Sequence, residues 1–316
     1  MKLLTHSRAG QQRLAAVLGD RVIDLNWAYA ALVGEQGGSN PAAVADATVP
    51  SEVLSFLRLG PSALDEARRA LAHVESLDPD LARRDLLAFP QSDVRLLPPV
   101  PNPPKIICVA RNYAEHAKEA GRELSEIPIV FGRFPVTLVA SGDPVVRPTV
   151  SPELDWEGEL AVVIGKSGRR VSRQDAMSHV AGYSVFNDVT VRDYQFRVAQ
   201  YTAGKNFNAS GPFGPYLVST DEVVDPHALD ITTKVNGEVK QAGNTSDMVF
   251  DVPTIIEHIS EWIELEPGDV IATGTPAGVG FKRNPPEFLR PGDIVEVSIT
   301  GLGTLRNPVI GEEELA

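Results

Sequence analysis

The sequence has little cysteine and no long apolar run. Its single cysteine, Cys108, excludes an internal disulfide and a cage of thiolate metal ligands. Because Cys108 lies in the apolar run Ile106–Ala110, we expect a buried and unreactive thiol. No apolar run reaches the length of about 18 residues that a transmembrane helix needs, and the first eight residues lack the apolar stretch of a signal peptide. We therefore expect a cytoplasmic protein.

Positive charge is also scarce. The 316 residues include 29 Lys and Arg against 42 Asp and Glu, which gives a formal net charge of −13. A negative field repels nucleic acids and anionic membranes, so neither is a predicted partner. The net charge does not exclude a small anionic substrate, because a metal ion and a few basic side chains can reverse the field inside one cleft. The hydrophobic fraction of 43% is typical of a folded protein with a core.

The first part of the chain predicts a small α/β domain. Two apolar runs separated by Gly19 and Asp20 indicate a hairpin. Apolar residues recur at helical spacing across residues 42–89. Five prolines between Pro98 and Pro104 then exclude a helix or a central strand. We place a domain boundary there, with a small N-terminal domain at 1–98 and a catalytic domain at 99–316.

The rest of the chain predicts an α+β fold that is predominantly β. The pair Asn236-Gly237 favours a tight hairpin. Short helices are expected only at 112–120, 172–179 and 252–264, so the strands do not alternate regularly with helices. Strand-like runs occur at 105–110, 128–131, 159–164, 181–186, 216–218, 230–235, 269–273 and 293–299.

Carboxylates cluster at the ends of two predicted strands. Glu157 and Glu159 begin one strand, and alternation places both side chains on one face, about 6.5–7 Å apart. Asp155 would share that face as an outer or surface acid. Asp188 ends another apolar strand, so three carboxylates converge if the two strands are neighbours. Such an all-oxygen set suits Mg²⁺, with Mn²⁺ or Ca²⁺ as alternatives, whereas ordinary solvated strand ends are the competing interpretation.

Several basic and polar residues could complete a site. Arg192 and Gln195 follow Asp188 closely, and Lys205 comes slightly later; arginine suits carboxylate binding and lysine a point-charge contact. His116 and Glu119 are three residues apart on a predicted helix, where a carboxylate can orient an imidazole base. Taken singly, each could be an ordinary surface residue.

A glycine-rich turn follows a later strand. Residues 271–280 could present backbone amides and the hydroxyl of Thr275 to an anion. The segment lacks the Gly-Lys-Ser/Thr ending of a phosphate loop, and the sequence has no Gly-x-Ser-x-Gly elbow for a serine hydrolase.

Together these segments resemble the fumarylacetoacetate hydrolase superfamily, in particular its bacterial acylpyruvase and 2-hydroxyhepta-2,4-diene-1,7-dioate isomerase types. The resemblance covers residues 105–310 in the family's order. The matching residues are Arg111-Asn112-Tyr113 with His116 and Glu119, Asp155-Trp156-Glu157-Gly158-Glu159-Leu160, Phe186-Asn187-Asp188 with Arg192-Asp193-Tyr194-Gln195, Gly204-Lys205-Asn206-Phe207, Gly211-Pro212-Phe213-Gly214-Pro215, Pro267-Gly268-Asp269 and Thr273-Gly274-Thr275-Pro276.

The resemblance implies a mixed β-roll catalytic domain and a homodimer. It also implies a role for each matched polar residue. The metal ligands would be Glu157, Glu159 and Asp188. The catalytic residues would be Lys205 and, on a lid helix, His116 and Glu119. A small 2-oxo acid would be held by Arg192, Gln195, Tyr113 and Thr275. The sequence departs from the family pattern at Asn208, because many relatives have an aspartate at or near this position. The departure affects the hydrogen bonding expected around Lys205.

The function expected from this resemblance is metal-dependent hydrolysis of a C–C bond in an acylpyruvate. His116, oriented by Glu119, would activate water to attack the 4-carbonyl group, and a pyruvate enolate would leave. The alternatives are an isomerase or decarboxylase of a 2-oxo or 2-hydroxydienoic acid, such as oxaloacetate decarboxylation or dienol tautomerisation, which use the same enolate chemistry. A non-catalytic metal- or ligand-binding protein is a more remote alternative.

Overall fold

The computed structural model describes residues 1–8, 10–119, 121 and 123–315. Its strands are β1 Lys2–Arg8, β2 Gln11–Leu18, β3 Arg21–Asp24, β4 Ala88–Pro90, β5 Arg95–Leu97, β6 Ile106–Ala110, β7 Ile129–Arg133, β8 Leu138–Val139, β9 Val145–Arg147, β10 Leu154–Asp155, β11 Gly158–Ile164, β12 Val180–Asn187, β13 Thr190–Val191, β14 Gly211–Ser219, β15 Asp230–Val235, β16 Glu238–Asn244, β17 Val270–Ala272, β18 Ile294–Ile299 and β19 Gly303–Gly311. Its α-helices are α1 Leu25–Glu35, α2 Pro41–Thr48, α3 Val53–Leu59, α4 Pro61–Ser76, α5 Pro79–Arg84, α6 Ala114–Glu119, α7 Arg192–Gln195, α8 Thr202–Lys205 and α9 Val252–Trp262.

A twelve-stranded sheet runs through the described part of the molecule. Its main path is β4-β3-β2-β1-β14-β12-β11-β17-β6-β7, with β5 paired to β1 and β8 paired to β14. A five-stranded sheet in the order β16-β15-β18-β19-β9 packs beside it, and β10 pairs with β13. The predicted strand runs are all present, which confirms the α+β, predominantly β fold.

The central strands of the large sheet are buried on both faces. In β11, Leu160 and Val162 belong to one hydrophobic cluster, whereas Ala161 and Val163 belong to another. The helices of the N-terminal part contribute to the second cluster through residues such as Ala67 in α4. Burial on two faces explains why β11 reads as a continuous apolar run after its acidic start.

The N-terminal residues form the predicted hairpin and helices. Strands β2 and β3 pair around Gly19 and Asp20, and helices α2–α5 occupy most of residues 42–89. Strand β1 pairs with β14, so one sheet continues from the N-terminal part into the catalytic part. The domain boundary between residues 98 and 99 stays a prediction.

Two of the three predicted helices are present and one differs. Helices α6 and α9 lie within the predicted segments; Ala120, the last residue of the first, lies outside the described residues. The helix predicted at 172–179 is wrong, because the structure has turns followed by a short 3₁₀ helix at Ala176–His179. Ser172 Oγ accepts a hydrogen bond from the backbone N–H of Asp175 and donates to its carboxylate, a local arrangement that competes with helix formation.

Candidate active site

Three buried carboxylates meet where β11 begins and β12 ends. The two strands are antiparallel neighbours, with Gly158 opposite Asn187, so Glu157 and Glu159 lie beside Asp188. One oxygen from each carboxylate can be chosen so that all three lie within 4.8 Å of one another. The convergence predicted from the sequence is therefore present in the structure.

Three cations surround these carboxylates. Lys205 Nζ lies 2.6 Å from Glu157 Oε2 and 2.6 Å from Asp188 Oδ2. Arg192 Nη1 lies 2.6 Å from Glu157 Oε1, and Arg133 forms an ion pair with Asp188. Glu159, by contrast, accepts a hydrogen bond from the backbone N–H of Gly274, at 2.8 Å. Among the described residues, no cationic side chain pairs with Glu159.

The two glutamates respond differently to burial. Burial raises the pKa of Glu157, but the neighbouring Lys205 and Arg192 outweigh it and hold that pKa at about 2. Burial, together with the Asp188 and Glu157 carboxylates, raises the pKa of Glu159 well above its usual range. A divalent cation between the three carboxylates would supply the positive charge that Glu159 lacks. The residues present therefore fit a hard divalent cation with oxygen ligands.

Arg192 connects the carboxylates to a second buried acid. Its Nε donates to Asp155 Oδ2 at 2.8 Å, and its Nη1 donates to Gln195 Oε1 at 3.0 Å. Asp155 also accepts hydrogen bonds from the backbone N–H groups of Gly280 and Phe281, so it is not a surface acid. Arg192 Nη2 is buried and has no hydrogen-bond partner among the described residues. It leaves a donor for a substrate oxygen in the adjoining cleft, which the three carboxylates line together with His116, Arg192, Gln195, Lys205 and Thr275.

Helices α7 and α8 pack closely enough to require a glycine. A Cβ atom on Gly204 would lie 2.6 Å from the backbone N and Cα atoms of Gln195. The residue after Gly204 is Lys205, whose ammonium group reaches the carboxylates. Gly204 thus lets the element that carries Lys205 lie against the element that carries Arg192 and Gln195.

Helix α6 brings His116 to the same cleft and places Glu119 beside it. His116 Nδ1 lies 3.6 Å from Glu119 Oε2, and His116 is buried and lines the cleft. Both carboxylate oxygens of Glu119 accept from the backbone N–H of Gly278, at 3.2 and 3.1 Å. The glycine-rich turn at 271–280 therefore fixes Glu119, and Glu119 lies beside the imidazole.

The remaining predicted residues occupy different positions. Thr275 lines the cleft, and its hydroxyl donates to Gly158 O and accepts from Gln241 Nε2. Tyr113 is buried in the hydrophobic core next to this region and does not line the cleft. Asn208 is exposed and forms no hydrogen bond with Lys205 among the described residues; the ammonium group of Lys205 donates to Glu157 and Asp188.

Sequence reasoning missed two residues that support the site. Arg133, at the end of β7, donates to Asp188, to Val189 O and to Ser210 Oγ. Gln241 accepts from the backbone N–H of Gly158 at 3.0 Å and donates to Thr275. Arg133 lies two residues beyond the strand predicted at 128–131, and Gln241 follows the turn predicted at Asn236-Gly237, so the sequence pattern singled out neither residue.

Comparison with known proteins identifies the family. The family model described as "Fumarylacetoacetate (FAA) hydrolase C-terminal" matches residues 105–310. Oxaloacetate tautomerase FAHD2A, mitochondrial, from Homo sapiens is 44% identical over 279 residues, 88% of this chain and 85% of the relative. Oxaloacetate tautomerase YisK from Bacillus subtilis is 42% identical over 266 residues, 83% and 87% of the two chains. The chain belongs to the fumarylacetoacetate hydrolase superfamily.

Solved structures agree with this family assignment over nearly the full length. A putative HpcE protein from Mycobacterium smegmatis superposes with a TM-score of 0.81 at 32% identity, covering 99% of this chain and 100% of the other. A maleylpyruvate hydrolase from Sphingobium sp. SYK-6, in complex with manganese(II) and pyruvate, gives 0.73 at 31% identity, with 98% and 99% covered. Among the described residues of this superfamily member, no helix is long and apolar enough to cross a membrane.

Proposed function

We propose that this enzyme is a divalent-metal-dependent tautomerase of a small 2-oxo acid, with oxaloacetate as the first candidate substrate. The observation that carries the proposal is the identity of 42–44% to relatives named oxaloacetate tautomerases, together with the buried triad of carboxylates. The acylpyruvate hydrolase expected from the sequence has less support, since these relatives are named for an isomerisation. The isomerase alternative therefore becomes the main hypothesis.

The proposed metal ligands are Glu157, Glu159 and Asp188. Mg²⁺ is the first candidate, and Mn²⁺ or Ca²⁺ would suit the same oxygen donors. When bound, the cation would supply Lewis acidity toward the 2-oxo group of the substrate. The complex of the Sphingobium hydrolase with manganese(II) and pyruvate supports both a divalent cation and a 2-oxo acid.

The reaction needs only proton transfer. The C3–H bond of the keto form breaks and its electron pair forms the C2=C3 double bond. The π pair of the C2=O bond moves to the oxygen, which takes up a proton from solvent to give the enol. We assign removal of the C3 proton to His116, oriented by Glu119. Lys205 would stabilise the negative charge that develops on the oxygen, and Arg192, through its free Nη2, would bind the C1 carboxylate with Gln195.

Three parallel assays separate the candidate reactions. The metal-stripped enzyme is given oxaloacetate enol with and without Mg²⁺, and the loss of enol absorbance is followed alongside pyruvate formation. Acetylpyruvate is tested separately for pyruvate release. Magnesium-dependent enol loss without pyruvate supports the tautomerase. Pyruvate from oxaloacetate would indicate a decarboxylase, and pyruvate from acetylpyruvate would restore the hydrolase hypothesis.

The proton-transfer role of His116 has its own test. His116→Gln removes the base, and positioned general bases typically contribute about 10²–10⁴-fold to the rate. We expect kcat for tautomerisation to fall by about that factor while Mg²⁺ binding stays near the wild-type value. An unchanged kcat would assign the proton transfer to another group. His258→Gln, at a histidine of helix α9 that does not line the cleft, is the matched control.

Two broader features belong to the same proposal. A homodimer and a cytoplasmic location are predicted for this chain, whereas the name of the human relative places that protein in mitochondria. The relatives act on small acids by name, which supports a small anionic 2-oxo acid as the partner rather than a macromolecule.

A further inference from the structure

The cleft contains more positive charge than the carboxylates and one substrate carboxylate require. Five Lys and Arg side chains line it, against three acidic side chains: the cations are Arg111, Arg192, Arg197, Lys205 and Lys282. A divalent cation at the carboxylates would increase this excess. The chain as a whole carries a net charge of −13, so the positive charge is concentrated locally. Such a cleft suits a substrate with more than one negative charge.

Most of these cations already have partners. Arg192 pairs with Asp155 and Glu157, and Lys205 with two metal-site carboxylates. Arg197 lies 3.5 Å from Asp193 and over the ring of Tyr194. Within the described part of the chain, Arg111 and Lys282 are the cleft cations that have no carboxylate partner.

Arg111 is the better placed of these two. It is partly buried, and its Nε is fully buried without a hydrogen-bond partner, whereas Lys282 is exposed. Among the described residues, Arg111 forms neither an ion pair nor a side-chain hydrogen bond. A buried donor left without an acceptor costs free energy, so this arrangement points to an acceptor that comes from a ligand.

The backbone holds Arg111 in an unusual conformation. Its φ of +55° lies in the left-handed region, which is unfavourable for a residue with a Cβ atom. The next residue, Asn112, is anchored: its Nδ2 donates to Phe250 O and Thr273 O, and its Oδ1 accepts from the backbone N–H of Phe250. The anchored Asn112 and strand β6 on the other side thus fix the backbone that presents Arg111 to the cleft.

We propose that Arg111 binds the second carboxylate of a dicarboxylic 2-oxo acid. Arg192 binds the other carboxylate, the one next to the 2-oxo group. This inference rests on the proposed function for the identity of the reacting end. It makes Arg111 a specificity-determining residue, because a monocarboxylic substrate would leave its guanidinium group unpaired.

The test compares two unreactive ligands that share one end. Malate and lactate are both 2-hydroxy acids, but only malate has a second carboxylate. Their affinities for the magnesium-loaded enzyme are measured by calorimetry in the wild type and in Arg111→Asn. Asparagine tolerates a positive φ, so the substitution removes the charge without adding backbone strain.

We expect the wild type to prefer malate, and Arg111→Asn to reduce that preference by about 10- to 100-fold. Arg111→Lys should restore part of it, and Arg290→Asn, at an exposed arginine that does not line the cleft, should leave it unchanged. An unchanged malate-to-lactate ratio in Arg111→Asn would overturn the inference, as would an equal loss of affinity for both ligands.

These outcomes are independent of the proposed reaction. A malate preference that depends on Arg111, in an enzyme that does not tautomerise oxaloacetate, would keep the dicarboxylate subsite and reject the reaction. Tautomerase activity together with a ratio that Arg111→Asn does not change would keep the reaction and reject the subsite.

Discussion

The buried pair of Asp155 and Arg192 gives a prediction whose magnitude follows from its contacts. Asp155 has no exposed surface and accepts hydrogen bonds from Arg192 Nε at 2.8 Å, Gly280 N at 2.7 Å and Phe281 N at 3.0 Å. Asp155→Asn keeps the size of the side chain but removes its charge. Its new amide N–H₂ group also replaces one of the two acceptor oxygens, either toward Arg192 or toward the turn at Gly280.

Removing one partner of a buried ion pair costs about 3–5 kcal/mol, because the other charge stays buried without compensation. Arg192 keeps its ion pair with Glu157 in Asp155→Asn, so we expect the free energy of unfolding to fall by about 3 kcal/mol, the lower end of that range. Asp193, the neighbour of Arg192 on helix α7, provides a matched control. It lies 3.5 Å from Arg197, and the two side chains are 29% and 54% exposed. Asp193→Asn should cost only about 1 kcal/mol, since exposed pairs contribute little.

Urea unfolding of the metal-free wild type and the two variants, followed by tryptophan fluorescence, measures the difference. A loss in Asp155→Asn that is no larger than the loss in Asp193→Asn would refute the reasoning. It would mean that the guanidinium group of Arg192 finds sufficient compensation in Glu157 and Gln195 alone.

Three further predictions concern packing, pH and reactivity. Gly204→Ala places a Cβ atom 2.6 Å from the backbone of Gln195, so kcat/KM for oxaloacetate tautomerisation should fall at least about 10-fold. In the control Gly132→Ala the new Cβ atom would lie 4.0 Å from Ile106 O, so kcat/KM should stay near the wild-type value. Burial lowers the pKa of His6 below its usual value of 6.5, so the unfolded state binds the proton more readily than the folded state. The free energy of unfolding should therefore fall as the pH drops through about 6.5, and urea titrations across pH should show that His6→Leu removes this loss. An equal loss in the variant would contradict the prediction. Burial raises the pKa of the Cys108 thiol well above its usual range, so a thiol reagent should label Cys108 only after unfolding, and rapid labelling of the native enzyme would show the expectation to be wrong.

The convergence of the three carboxylates could be predicted from the sequence because its signal is local. Glu157 immediately precedes the apolar strand β11, Glu159 is its second residue, and Asp188 directly follows β12. Strand alternation and the pairing of neighbouring strands are sufficient to bring them together. His116 and Glu119 could be paired in the same way, from their spacing on one helix.

The supporting contacts could not be predicted because they join distant parts of the chain. Arg133 is 55 residues from Asp188, and Gln241 is 83 residues from Gly158. Asp155 was expected on the face of Glu157 and Glu159, but β10 ends at Asp155 and β11 begins at Gly158, so the alternation does not continue between them. The position of Arg111 depends on the anchoring of Asn112 by residues more than a hundred positions later.

The central claim is that the three buried carboxylates form a single divalent-metal site required for activity. The most direct measurement is calorimetric titration of the metal-stripped enzyme with Mn²⁺ and Mg²⁺, comparing the wild type with Glu159→Gln and with the exposed control Glu264→Gln. The account predicts one site per chain in the wild type and in the control. It predicts loss of that site in Glu159→Gln, together with the loss of metal-dependent turnover of oxaloacetate. Undiminished metal binding by Glu159→Gln would contradict it.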